Sequence, residues 1–314
     1  MVRIIGLVAA IALFATPVAA QVAVQPPGSL ALGSGPYKAV MVEDATLPEH
    51  TIYRPSDLAA AGAMLPVLIW GNGGCANAGN SARPFLTEIA SYGYLVIAAG
   101  VVDPKQSFTT LPPVPGAAPE GPRGGVPRVL PPPATQTPHL IKAIDWAVAE
   151  SKRAGSPLAG HIDPARIAVA GHSCGGIQAI EASADKRVAT TLVMNSGMPP
   201  KGTDMAGGRA LTKADLLKVH GPIAYLPGDA TDIAFPNATD DFEKIAHVPV
   251  MLAWLRGVGH GGTFRLPNGG EYAGVVVAWL DWHLKGSTKA AGLFRGPDCG
   301  LCANPRWVIR SKAL

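Results

Sequence analysis

One short stretch constrains the fold more than any other. Residues 167–180 read Ile-Ala-Val-Ala-Gly-His-Ser-Cys-Gly-Gly-Ile-Gln-Ala-Ile. An apolar run of strand length meets the pentapeptide Gly171-His172-Ser173-Cys174-Gly175, and a helix-compatible stretch follows. A serine held between two such elements lies on a sharp turn with a strained backbone and an exposed hydroxyl, the arrangement called a nucleophile elbow. The glycines two residues before and after it leave room for the strand and the helix to pack closely.

The elbow predicts strands and helices in alternation, and the pattern along the chain agrees. Residues 51–55, 65–70, 94–99, 166–170, 188–194, 223–226 and 248–255 read as short, mostly apolar strands. Residues 83–92, 139–153, 174 to about 187, and 272–284 read as helices. Within 139–153, Leu140, Ile141, Ile144, Ala147 and Val148 recur at helical spacing, with Thr137 as the expected N-cap and Pro138 at the first helical position. Such alternation implies an α/β fold: a mostly parallel central sheet with helices on both faces. Neither a composition break nor an internal repeat divides residues 21–314, so one domain is expected. Two segments interrupt the alternation. The Pro-rich insertion 103–138 leaves the carboxyl end of a strand, where open α/β sheets bind ligands, and reads as a wall or lid of that site. Residues 198–220 have the length of a small cap.

The first twenty residues form a separate segment. Arg3 precedes the apolar stretch 4–14, and Val18-Ala19-Ala20 resembles a small-residue cleavage site. This is the pattern of a secretory signal peptide, so a secreted or periplasmic protein is expected. No later apolar run approaches the ~18 residues of a membrane span. Losing residues 1–20 removes Arg3 and no acid, taking the formal charge from +4 to +3. That mild excess, without Lys/Arg clusters among aromatics, gives no support for a nucleic-acid partner. The oligomeric state is not legible. The four cysteines, Cys75, Cys174, Cys299 and Cys302, fit two disulfides in an exported protein, and three pairings are open.

A serine hydroxyl needs a base to take its proton, and the base needs a carboxylate to orient it. In folds with this elbow the acid and then the histidine follow the serine in the chain. His220, His247, His260 and His283 lie downstream. His260 stands in Gly257-Val-Gly-His-Gly-Gly directly after the last long strand, the loop position expected of a catalytic histidine. His283 falls inside a helix and reads as a packing or surface residue, and His172, on the elbow, as a packing or hydrogen-bonding one. The acid is expected after the strand 223–226, where Asp229 and Asp232 are both placed to serve. Asp163 reads as a turn residue, and Asp240 and Asp241 as caps or first-turn acids. Oxyanion donors would come from the residue after the serine, Cys174, and from the Gly-rich loop 72–76.

Taken together, residues 51–53, 88–97, 171–176, 231–234 and 259–260 resemble the α/β-hydrolase superfamily, and within it bacterial cutinases and dienelactone-hydrolase-like esterases. The resemblance spans most of residues 50–285. It implies Ser173 as nucleophile, Asp232 as acid (Thr231-Asp-Ile-Ala carries the match) and His260 as base. Counting back from Ile89-Ala-Ser-Tyr-Gly93 places Cys75 on the oxyanion-loop residue, which is usually aromatic in cutinases, and Cys174 where a Met is common. If Cys75 and Cys174 are the two oxyanion donors that the resemblance implies, they stand close enough for a disulfide that ties the oxyanion loop to the elbow, with Cys299 and Cys302 then pairing locally; the alternative is that Cys75 and Cys174 are two buried free cysteines. Zinc at the latter pair is not expected, because no second ligand pair accompanies it.

The implied function is a cofactor-free serine hydrolase that cleaves carboxylic esters, of small or polymeric substrates, through an acyl-enzyme. An amidase or a depolymerase of poly(aspartic acid) or polyhydroxyalkanoate would use the same residues. A non-catalytic binding protein on this scaffold is the alternative from another class.

Overall fold

The computed structural model describes residues 22–23, 33–62, 64–106, 132–204, 206 and 209–314. Its strands are β1 (Val22–Ala23), β2 (Ala39–Glu43), β3 (His50–Pro55), β4 (Leu65–Gly71), β5 (Leu95–Ala99), β6 (Ile162–His172), β7 (Val188–Met194), β8 (Ile223–Leu226), β9 (Val250–Leu255) and β10 (Trp307–Lys312). Among the described residues they form one sheet in the order β1-β2-β3-β5-β4-β6-β7-β8-β9-β10. The six strands from β5 to β9 in that order pair in parallel. Antiparallel partners close both sides, β1 to β3 on one and β10 on the other.

The helices are α1 (Arg83–Ser91), α2 (Thr137–Glu150), α3 (Cys174–Ala182), α4 (Phe235–Lys244), α5 (Gly270–Lys285) and the single turns α6 (Thr288–Ala291) and α7 (Gly300–Ala303). Successive side chains of a strand point to opposite faces, so a strand covered on both faces must be apolar throughout. β4 shows this. Leu68 and Trp70 pack with Phe85 and Ile89 of α1 and Trp279 of α5. Val67 and Ile69 pack on the other face with Leu140 and Ile144 of α2. A third cluster joins Ile177 of α3 and Phe242 of α4 to Val193, Tyr225 and Leu252. This is the mixed, mostly parallel α/β sheet expected, flanked by helices on both faces.

Register sets the place of the site. His172 pairs with Met194, and Met194 with Leu226, so β6, β7 and β8 end level at one edge of the sheet. The loops leaving that edge begin at Ser173, Asn195 and Pro227. β4 ends opposite β6 with Gly71 beside Gly171.

Several local expectations change. Gln136, not Thr137, is the N-cap of α2. Its N–H donates to Nδ1 of His139 (3.0 Å), while the Thr137 hydroxyl donates to Glu181 (2.6 Å) and so is committed to α3. Asp240 and Asp241 stand inside α4, not at its start. Asp241 is buried, accepts from the Met198 N–H (2.7 Å) and pairs with Lys213, which explains an acid in a buried stripe. Strands β2 and β10 were not expected. Of the insertion 103–138, residues 107–131 lie outside the described residues, and with them most of the predicted wall or lid. Its far end rests on the Gly-rich loop: the Ala134 and Thr135 N–H groups both donate to the Cys75 carbonyl (3.0 and 2.8 Å). In the segment 198–220, Thr203 bridges Leu211, and a 3-10 turn spans Lys213–Lys218.

Two predictions follow from packing and burial. A Cβ at Gly175 would collide with the Gly71 backbone, whereas one at Gly274, on the exposed side of α5, meets open space. Gly175→Ala should therefore cost at least ~2 kcal/mol. Gly274→Ala should be neutral or gain up to ~1 kcal/mol. Urea unfolding of the two variants reads the difference. The second concerns His50, His172 and His283, whose pKa values burial lowers to about 4. The unfolded chain binds these protons near pH 6.5, the native protein only near pH 4. Stability is thus fully present above pH 6.5 and falls as pH drops toward 4, by up to about 1.4 kcal/mol per pH unit for each histidine. Urea titrations at pH 7 and pH 5 should show this loss; equal stability at both would contradict it.

Candidate active site

Three loops at the level edge of the sheet bring Ser173, Asp232 and His260 together. Ser173 joins β6 to α3 with φ +53°, a left-handed conformation that costs a non-glycine residue of order 1 kcal/mol or more. Its surroundings hold it there. A Cβ at Gly171 would strike the Gly175 carbonyl, and one at Gly176 would strike the Ser196 side chain, so no larger residue fits at either position. The Ser173 N–H donates to the Met194 carbonyl (3.0 Å), and the Ser196 hydroxyl donates to the Ser173 carbonyl (2.6 Å).

Asp232 follows β8 and is fully buried. Burial alone would raise its pKa, but hydrogen bonds from His260 and from the Ala234 and Gly228 N–H groups outweigh it and hold the carboxyl below its ordinary value. Oδ1 accepts from Ala234 N–H (2.9 Å) and Oδ2 from Gly228 N–H (2.8 Å). Oδ1 also lies 2.6 Å from Nδ1 of His260. An ionised carboxylate only accepts, so Nδ1 carries the proton and Nε2 presents its lone pair. Nε2 lies 2.9 Å from Oγ of Ser173 and accepts from its hydroxyl. The His260 side chain is 32% exposed, so the serine end of this chain meets solvent while the aspartate end is dry.

Of the two acids, Asp232 is thus the one that reaches His260. Asp229 is a turn residue: Oδ1 accepts from the N–H and hydroxyl of Thr231 (2.9 and 2.7 Å), and Oδ2 from Gly257 N–H (2.7 Å). The other histidines stand elsewhere. His283 packs on Trp279 and Trp282, and His247 donates to the Val219 carbonyl (2.8 Å). Asp163 stands inside β6, not in a turn before it: in the stretch where the register with β4 shifts, its carboxylate accepts from Ala165 N–H (2.9 Å) and pairs with Arg166.

Cys75 and Cys174 form a disulfide with Cα atoms 5.3 Å apart, and Cys299 and Cys302 form the other. The first ties the Gly-rich loop after β4 to the residue that follows Ser173. Cys174 opens α3, where the helix dipole favours negative charge. Cys75 differs from expectation in one respect. Its N–H donates to the Asn72 carbonyl (3.1 Å) within the 3-10 turn Gly73–Cys75, so service to an oxyanion would require sharing that bond.

The roles of two side chains in the site were not anticipated. Asn195, directly after β7 with φ +44°, is buried, and its Nδ2 donates both to Oδ2 of Asp232 (3.0 Å) and to the Gly259 carbonyl (3.0 Å). Asn72 is buried beneath the Gly-rich loop. Its side chain accepts from the Trp70 indole (3.0 Å) and the Ser81 hydroxyl (3.1 Å), and donates to the Ala76 (3.1 Å) and Ala99 (2.5 Å) carbonyls. The signal in the sequence for Asn195 was slight: an asparagine, a residue type that tolerates left-handed backbone, directly after an apolar strand. Among the described residues no group of three or more His, Cys, Asp or Glu is arranged to hold a metal ion.

Comparison of the chain with protein-family models gave no match, and neither did comparison with curated proteins.

The disulfides are directly testable. A non-reducing digest should contain Cys75–Cys174 and Cys299–Cys302 linked peptides, with no cysteine alkylated before reduction. Alkylation of Cys75 and Cys174 in the unreduced, denatured protein would contradict the pairing.

Proposed function

We propose that this protein is a serine hydrolase that cleaves carboxylic esters through an acyl-enzyme. The observation that carries the reading is the position of His260, with Nδ1 against a buried carboxylate and Nε2 against a strained, elbow-borne serine hydroxyl. The strand order supports it too. β2-β3-β5-β4-β6-β7-β8-β9, with serine, acid and histidine after β6, β8 and β9, agrees with the α/β-hydrolase arrangement that the sequence resembles.

In this reading the Ser173 oxygen attacks the ester carbonyl while His260 Nε2 takes its proton. Asp232 holds the imidazole in the Nδ1–H tautomer and stabilises the imidazolium. The oxyanion develops beside the start of α3, where the Cys174 N–H and the helix dipole favour it. His260 returns the proton to the leaving alcohol, and the acyl group remains on Ser173. Water then attacks the acyl carbon with His260 again as base, releasing the acid and the free serine. The residue set fits an amide or a polymeric ester as well, so the substrate panel decides the bond. The leader pattern of residues 1–20 and the two disulfides support export to an oxidising compartment.

Hydrolysis of p-nitrophenyl esters of increasing chain length, with poly(aspartic acid) and a polyester film alongside, tests this. Ser173→Ala should lose at least about 10³-fold in kcat and all labelling by a fluorophosphonate. Asp232→Asn should lose roughly 10³–10⁴-fold, and Asp229→Asn far less. Absence of turnover and of labelling in the native protein would reject the hydrolase and favour a binding protein.

A further inference from the structure

His172 precedes the proposed nucleophile, yet its side chain works on a different loop. Its Nε2 lies 2.9 Å from the backbone carbonyl of His260, 88 residues away. A carbonyl only accepts, so Nε2 carries the hydrogen and donates. The ring lies against Phe264 (centroids 4.8 Å apart) and the His260 ring (5.4 Å). On its other side it meets the Gly-rich loop so closely that a Cβ at Gly73 would strike the imidazole. The ring is therefore wedged between the two loops that flank Ser173.

Its bond has a neighbour. Asn195 Nδ2 donates to the carbonyl of Gly259, so two consecutive carbonyls of the His260 loop are held by two side chains from different strand ends. Asn195 also grips Asp232, so it couples acid and loop. His172 is the link that couples the loop to the elbow itself. The loop begins at Gly257, with φ +76°, and turns again at Gly262, with φ +59°, and glycine turns of this kind constrain the backbone weakly. Burial keeps the His172 ring neutral well below pH 7, so it adds no charge beside the imidazolium that His260 would become.

We infer that His172 is a positioning residue: its Nε2–H holds the backbone of His260 so that the imidazole stays within hydrogen-bond reach of the Ser173 hydroxyl. The inference rests on the hydrolase reading above and goes beyond it in assigning a function to the second residue of the pentapeptide.

Three variants of the full mature chain test it, with p-nitrophenyl acetate turnover and the rate of fluorophosphonate labelling as readouts. His172→Phe keeps an aromatic wedge and removes the donor. His172→Asn carries an amide too short to reach the Nε2 position, and His172→Gln carries one long enough. Misplacement of a catalytic group by about 1 Å costs up to ~10²-fold. The expected result is a fall in kcat and in labelling rate of roughly 10–100-fold for Phe and Asn, KM within about 3-fold of the native value, and Gln recovering most of the loss. Retention of native kcat by Phe or Asn would overturn the inference, as would a Gln variant no better than Asn. Should Phe fail to fold by circular dichroism, the Asn/Gln pair carries the test alone. An inactive, unlabelled native protein would instead reject the hydrolase reading, and the positioning assignment with it.

Discussion

Everything at the site depends on how closely three stretches of backbone approach one another. Gly71 at the end of β4, Gly171 near the end of β6 and Gly175 in the first turn of α3 touch without side chains between them. The contact lets α3 start directly against the sheet, and the chain can then reverse at Ser173 only through a left-handed residue. Strain at one residue is tolerated because packing on both sides of it over-determines the turn. The N–H of Gly175 donates to the Asn72 carbonyl (3.1 Å), so the same contact anchors the Gly-rich loop. Elbow, loop and helix start are thus one packed unit, cross-linked by Cys75–Cys174.

A dry aspartate beside a half-wet histidine gives the site its direction. Asp232 is buried with both oxygens occupied, and its hydrogen bonds outweigh the cost of burial. A carboxylate satisfied in this way is fixed in place and takes up a proton with difficulty. It therefore accepts from Nδ1 of His260 and fixes the tautomer of that ring. Asp229, three residues earlier, is spent on shaping the turn and on holding Gly257, the residue from which the His260 loop departs. The two acids divide the work of one loop: one shapes the backbone and the other orients the ring.

How much of this was legible in the sequence varies with how local the signal is. The strands β7 and β8 were read with the bounds they have, because apolar runs of four to seven residues bounded by turn residues report burial on both faces. The sharp strand-to-helix turn at Ser173 and the loop position of His260 were legible for the same reason: each combines a strand end with glycines adjacent in sequence. The choice between Asp229 and Asp232 was not local. Both sit in one turn, and the hydrogen bonds that separate them come from Gly257 and His260, far along the chain. β2, a short apolar run between β1 and β3, was overlooked, and the edge strand β10 escaped notice because pairing, rather than a buried apolar pattern, makes it a strand. Only the first half of β10 is apolar, most of it is at least partly exposed, and it is read as a strand only through its register against β9. Thr137 failed as a cap because Glu181, on another helix, claims its hydroxyl.

The distribution of restraints around Ser173 explains why polar side chains far apart in sequence converge there. The proton relay proposed for this site needs donor and acceptor held to a few tenths of an ångström, while the histidine sits on a loop that reaches over the sheet edge. Apolar packing alone fixes such a loop poorly, because its glycines carry no side chains to bury. Backbone carbonyls are the grips that remain, and neutral amide and imidazole groups can hold them without introducing charge. Asn195 and His172 do this from β7 and β6, while Asn72 does it beneath the Gly-rich loop. Asn72 and Asn195 are buried and His172 partly so, and the donors of all three find carbonyls, so the positions that steady the loops carry polar residues where a core would carry apolar ones. The polar residues at the carboxyl edge of this sheet are the cost of placing a histidine on a glycine-rich loop with the accuracy that the proposed serine chemistry needs.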